Sequence, residues 1–113
     1  MTDINRIVLT GNLGQEPEFK YFESGAMMTT FSMGVKRYDS KKKEDITDWY
    51  NVKTFSKLGE YLKKGNKVAV DGTLQTDVWE KEGEKKKAIY VMADSIQILT
   101  PKEWFIIINL AVK

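Results

Sequence analysis

A two-residue alternation of apolar and polar side chains limits this chain more than any other feature, and it is interrupted only once. Between Met27 and Tyr38, the residues Met27, Thr29, Phe31, Met33 and Val35 fall on one face, and Met28, Thr30, Ser32, Gly34, Lys36 and Tyr38 on the other. Period two belongs to a strand with one face on a core. The same pattern predicts strands at Ile7–Leu13, Trp49–Phe55, Lys67–Trp79 and Lys87–Leu99, with a short one at Phe19–Phe22. A slip of parity near Ala93 and Asp94 predicts a bulge. The interruption is Ser56–Lys64. There Ser56 can cap, Leu58 and Leu62 recur at helical spacing, lysines follow and Gly65 stands at the end, so one short helix is expected. Five long strands with a single helix between the third and fourth is the connectivity of an OB-fold, an all-β, partly open Greek-key barrel.

Composition narrows what such a barrel can do. The 113 residues suffice for one domain, and the 42% hydrophobic and 30% charged content is that of an ordinary globular protein. There is no Cys and no His, which removes disulfides, thiolate and imidazole metal sites and the commonest general base. The acids are scattered through charged turns, and no acid–base pair or nucleophile stands out, so an enzyme is not expected and no cofactor or metal is required. The opening Met1–Arg6 lacks the basic head and apolar run of a signal peptide, and the apolar run Trp104–Val112 falls far short of the ~20 residues of a membrane-spanning helix. A cytoplasmic protein without membrane contact is the expectation.

The alternation then makes a sharper statement. If Phe31, Met33 and Val35 face the core, Lys36 and Tyr38 face outward. If Val52 faces inward, Trp49, Lys53 and Phe55 do not. If Val68, Val70 and Leu74 are inside, Trp79 is outside. One rule expels four aromatic rings from three strands, which is unusual for a free monomer. The rings could meet a partner subunit or the bases of a single-stranded nucleic acid. Net charge is only +2, so arrangement matters more than total. Lys36, Arg37 and Lys41–Lys43 cluster at one loop, Lys63, Lys64 and Lys67 after the helix, and Lys85–Lys87 at the last hairpin. Rings interleaved with cations suit bases joined by phosphates.

Several dispersed motifs carry a resemblance to a known family. Asn5–Tyr21, Thr47–Val52, Phe55–Leu58, Tyr61–Gly65, Val70–Leu74 and the following Trp79 resemble, in order and spacing, the bacterial single-stranded DNA-binding proteins. The likeness spans roughly residues 4 to 99 and implies an OB-fold that binds single-stranded DNA without sequence preference, usually as a homotetramer, in replication, recombination and repair. By this resemblance Trp49, Phe55 and Trp79 are stacking positions. Tyr38 stands where many members carry a further tryptophan, and Lys64, with Lys36 and Lys53, corresponds to phosphate contacts.

The likeness is not complete. The helix looks about a turn shorter, and Asp77 and Val78 stand where basic residues often occur. Family members normally continue into a flexible tail whose acidic tip recruits replication enzymes. Here residues 1–100 make the expected DNA-binding domain, and Pro101–Lys113 is an apolar extension ending on a cation, unsuited to that recruitment. A truncated or divergent paralogue, a phage or mobile-element protein, or an added strand or oligomer contact would each account for it, and burial of the isoleucines is expected. The rival functions are an OB-fold accessory module whose rings face another protein, and an RNA-binding cold-shock-like domain. The second is disfavoured by length and by the lack of a Lys-Gly-Phe-Gly-Phe type of strand.

Overall fold

The computed structural model describes residues 2–99; the extension at 101–113 lies outside the described residues. Six strands form in the order β1 (Ile7–Leu13), β2 (Glu18–Tyr21), β3 (Met27–Asp39), β4 (Glu44–Thr54), β5 (Lys67–Lys81) and β6 (Glu84–Ile98), with a five-residue 3-10 helix at Lys57–Tyr61 between β4 and β5. The sheet closes on itself. β1 pairs antiparallel with β5 over Ile7–Asn12, β5 with β6, and β3 with β4 along the whole length of the β3–β4 hairpin. The circuit is completed by two short seams. In one, Val52–Thr54 of β4 runs parallel to Val91–Ala93 of β6; in the other, Asn12 and Leu13 of β1 meet Gly34 and Met33 of β3. The short β2 shares an edge of β3 with β1 and lies outside this circuit. The result is the expected OB-type barrel.

The core includes much of what the alternation selected, Phe31, Met33, Val52, Val68 and Val70, but not Leu74. Leu13, Phe31, Met33, Val52, Val68, Val70, Val91, Ala93 and Ile96 are buried, joined by Leu62 from the connection after the helix. Burying such side chains is the main favourable term in folding a domain of this size. The bulge also stands where parity slipped. Asp71 pairs with Ser95 and Gly72 with Ala93, which leaves Asp94 as the extra residue. A Cβ on Gly72 would run into the Met92 carbonyl oxygen, so the bent strands approach there only because position 72 has no side chain.

Two expectations need correction. The segment after β4 is a 3-10 helix and stops at Tyr61. Ser56 does cap it, its hydroxyl accepting from the Leu58 amide at 3.2 Å. Leu58 and Leu62, however, do not share a face. A three-residue turn puts Leu58 beside Tyr61 on the exposed side, while Leu62 lies past the helix and turns into the core. Gly65, at φ +88°, belongs to the turn from Lys63 to Asn66 and does not cap the helix. The second correction concerns β5. Val70 is 1% exposed, but Leu74 and Val78, on the same parity, are open to solvent, Val78 at 64%. Leu74 faces the buried Val91 at the edge of the β4–β6 seam, and past that seam the β5–β6 pair continues as a hairpin arm where alternation alone cannot bury a side chain.

Candidate nucleic-acid interface

The outward positions of the barrel strands form one continuous surface in the sheet register. On β3 and β4 the facing pairs are Thr30 with Lys53, Ser32 with Asn51, Gly34 with Trp49, Lys36 with Thr47 and Tyr38 with Asp45. Lys53 continues into β6 beside Met92. Across β6, Met92 faces Thr73, Tyr90 faces Gln75, Ala88 faces Asp77 and Lys86 faces Trp79. Trp49, Lys53, Lys36, Tyr38 and Trp79 therefore share one face, and Phe55 prolongs the outward row of β4 past Thr54.

The rings are accessible. Trp49 is 58% exposed, Phe55 53%, Trp79 45% and Tyr38 62%. Trp49 is seated on glycine. A Cβ on Gly14 would lie 2.5 Å from its Cζ3, and one on Gly34 would lie 2.9 Å from its Cη2. The β1–β2 loop and β3 thus supply a bed that only glycine leaves open, and any side chain would push the indole off its position. Beside the ring, Gly14, Gln15, Ser32 and Asn51 line a shallow polar depression. Phe55 is held from below. The buried Thr54 hydroxyl donates to the Ala93 carbonyl at 3.3 Å and accepts from the Ser56 amide at 3.1 Å, which fixes the chain on either side of the ring.

The cations are arranged less simply. Lys53 Nζ lies 2.7 Å from Asp77 Oδ2 and 4.3 Å from the Tyr90 ring centroid, so its charge is already answered within the sheet. Tyr90 is in turn oriented by its hydroxyl, which donates to Gln75 Oε1 at 3.0 Å. Arg37 pairs with Asp48 at 2.6 Å on the opposite face of the β3–β4 hairpin, and this hydrogen bond and charge raise its pKa further. Lys36 is exposed beside Trp49. Lys64 is not on the sheet; it stands in the turn after the helix, where its amide donates to Glu16 Oε1 at 3.2 Å and its neighbour Gly65 bonds the Leu13 carbonyl. That turn packs against the β1–β2 loop carrying Gly14, so Lys64 sits at the rim of the Trp49 end.

Three participants are new relative to the sequence reading. Tyr90 was open to the parity rule that exposed the others, since it alternates with the buried Val91. Phe22 and Lys20 were not, because their neighbourhood depends on how the β2–β3 hairpin meets the end of β4. The Phe22 and Phe55 centroids are 6.3 Å apart at a 40° tilt, with Lys20 Nζ 5.4 Å from the Phe22 centroid.

This closed barrel has counterparts. Residues 4–99 match the model of the single-strand binding protein family. The chain belongs to that family. Among its relatives, "Single-stranded DNA-binding protein 1" of Xylella fastidiosa (strain 9a5c) is 36% identical over 112 residues, covering 91% of this chain and 82% of that protein. A protein of the same description from Synechocystis is 34% identical, covering 88% and 86%. In three dimensions, the Plasmodium falciparum single-strand binding protein solved in complex with single-stranded DNA superposes with a TM-score of 0.78 at 23% identity. That match covers 88% of this chain and 98% of the other, and it speaks for the shared fold.

Proposed function

We propose that this protein is a non-catalytic binder of single-stranded DNA, indifferent to sequence, that coats exposed strands during replication, recombination and repair. The observation that carries this reading is the shared outward face of three exposed rings, Trp49 on β4, Phe55 just past its end and Trp79 on the β5–β6 hairpin. Bases of any identity stack on such rings, each stack worth ~1–3 kcal/mol, while lysines at the margin meet phosphates. Lys36, Lys64 and the hairpin lysines fill that second role, and Tyr38 extends the row of rings along β3. The test is a titration with oligo-dT at two salt concentrations, followed by tryptophan fluorescence. Quenching is expected, with affinity falling by a log–log slope of about −0.7 for each phosphate neutralised. Fluorescence unchanged by DNA would overturn the reading and favour a module whose rings face another protein.

Assembly into a homo-oligomer, a tetramer by family resemblance, is part of the same proposal. It is supported by β1, whose second edge meets β3 only at Asn12 and Leu13, so that no strand among the described residues pairs with the edge from Ile7 to Gly11. An unpaired edge is a template for another chain. Light scattering gives the mass directly, and a monomer at micromolar concentration would refute it. The work of such a protein lies in the cytoplasm, on DNA. No helix among the described residues is long and apolar enough to cross a membrane. Residues 1–100 are taken as the DNA-binding unit, with 101–113 a separate extension outside the described residues. Deleting 102–113 should leave oligo-dT binding intact, and a loss of binding would refute that division.

A further inference from the structure

We propose that Phe22 and Lys20, on the β2–β3 hairpin, complete a second contact station for single-stranded nucleic acid together with Phe55, at the far end of the sheet from Tyr38. The inference rests on the proposed function and assigns it two residues.

The local geometry is the starting point. Lys20 faces Met28 across the β2–β3 pair, and Met28 lies next in register to the place where Phe55 prolongs β4, since Thr29 faces Thr54. Lys20, Met28 and Phe55 therefore form one outward row, with Phe22 just past the end of β2. The Phe22 ring is tilted against Phe55 and is exposed on its remaining side. A centroid separation of 6.3 Å at 40° leaves no slot for a base between the rings. It makes a two-faceted surface on which a base can lie against Phe55 with its edge against Phe22. A purely structural pair would be covered by other side chains, whereas both of these rings remain in solvent.

The cation points the same way. Two lysines of this face sit over aromatic rings, Lys53 over Tyr90 and Lys20 over Phe22. The charge of Lys53 is answered by Asp77. Lys20 makes no ion pair among the described residues, so its ammonium is held in place by a ring and is still available to an anion. A cation fixed beside a stacking surface is the arrangement that a nucleotide needs, since its phosphate lies one sugar away from its base. From Trp49 to Phe55 the β4 chain advances about 20 Å at about 3.3 Å per residue. The two stations would therefore be joined by several nucleotides of one strand, within the ~4–16 that one OB-fold occupies.

The experiment measures oligo-dT affinity and its salt dependence for the full chain and for Phe22→Leu, Lys20→Gln, Phe55→Leu, Phe22→Leu/Phe55→Leu and Trp49→Leu. Leucine keeps apolar bulk in the hairpin and removes the aromatic face; thermal melting of each variant checks folding. Phe22→Leu is expected to weaken binding about 5-fold, and to cost much less than that when Phe55 is already leucine, since both rings serve one base. Lys20→Gln should lower the magnitude of the salt slope by about 0.7. If Trp49→Leu weakens binding while Phe22→Leu and Lys20→Gln match the parent in affinity and slope, the station is refuted and the functional reading stands. If none of the variants changes binding, the functional reading falls, and the station with it.

Discussion

β5 contains two regions that differ in everything except sequence pattern. From Lys67 to Gly72 it is a barrel stave, with Val68 and Val70 sealed in the core. From Gln75 to Lys81, past the β4–β6 seam, it is one limb of an arm, with Val78 open on one face and Trp79 on the other. The apolar residues of the stave contribute stability because another layer faces them; those of the arm have nothing opposite. A strand thus encodes two sides, and closure of the barrel decides where one of them becomes an interior. Past the point of closure, the same alternation yields a two-sided surface available to ligands.

The comparison can be broken in the core first. Met33→Ala removes a fully buried side chain from the stave region and should destabilise the protein by ~2–5 kcal/mol in denaturant unfolding. A cost under ~1 kcal/mol would mean that the barrel interior is no better packed than the arm. Next in size, Trp49→Ala should cost ~1–3 kcal/mol of oligo-dT affinity while moving the unfolding midpoint little, which isothermal titration and a melt together would separate. Asp77→Asn frees Lys53 from its partner. It should tighten DNA binding about 2-fold and steepen the salt slope by at most about 0.7, read from titrations at several salt concentrations. The smallest effect belongs to the arm. Val78→Ala should change stability by less than ~0.5 kcal/mol, as for other exposed positions, and a larger loss in the isolated chain would show that the arm packs on something.

Much of this was legible in the sequence because a strand period is a local property. Phe31, Met33, Val52, Val68 and Val70 could be sent inward, and Trp49, Phe55 and Trp79 outward, without knowing any pairing. Asp94 was legible as a disturbance of that period. What depended on three-dimensional closure was not. Leu74 and Val78 carry the same pattern as Val70, but Leu74 lies at the edge of the seam and Val78 beyond it. Leu58 and Leu62 have helical spacing, yet the connection between β4 and β5 has room for only a 3-10 turn before Leu62 must enter the core. The Lys53–Asp77 pair and the Phe22–Phe55 contact join residues on different strands, and only the register reveals them. Lys64 was expected at phosphate from family likeness; its location at the rim follows from the turn hydrogen-bonded to the end of β1.

The glycine bed beneath Trp49 has a consequence for motion. Because Gly14 and Gly34 let the indole settle low against the barrel, one side of the ring rests on backbone and the rest stays open to solvent. In the proposed complex, a ring reached from one side holds a base without a clasp, so a strand can leave one foothold while the others keep hold.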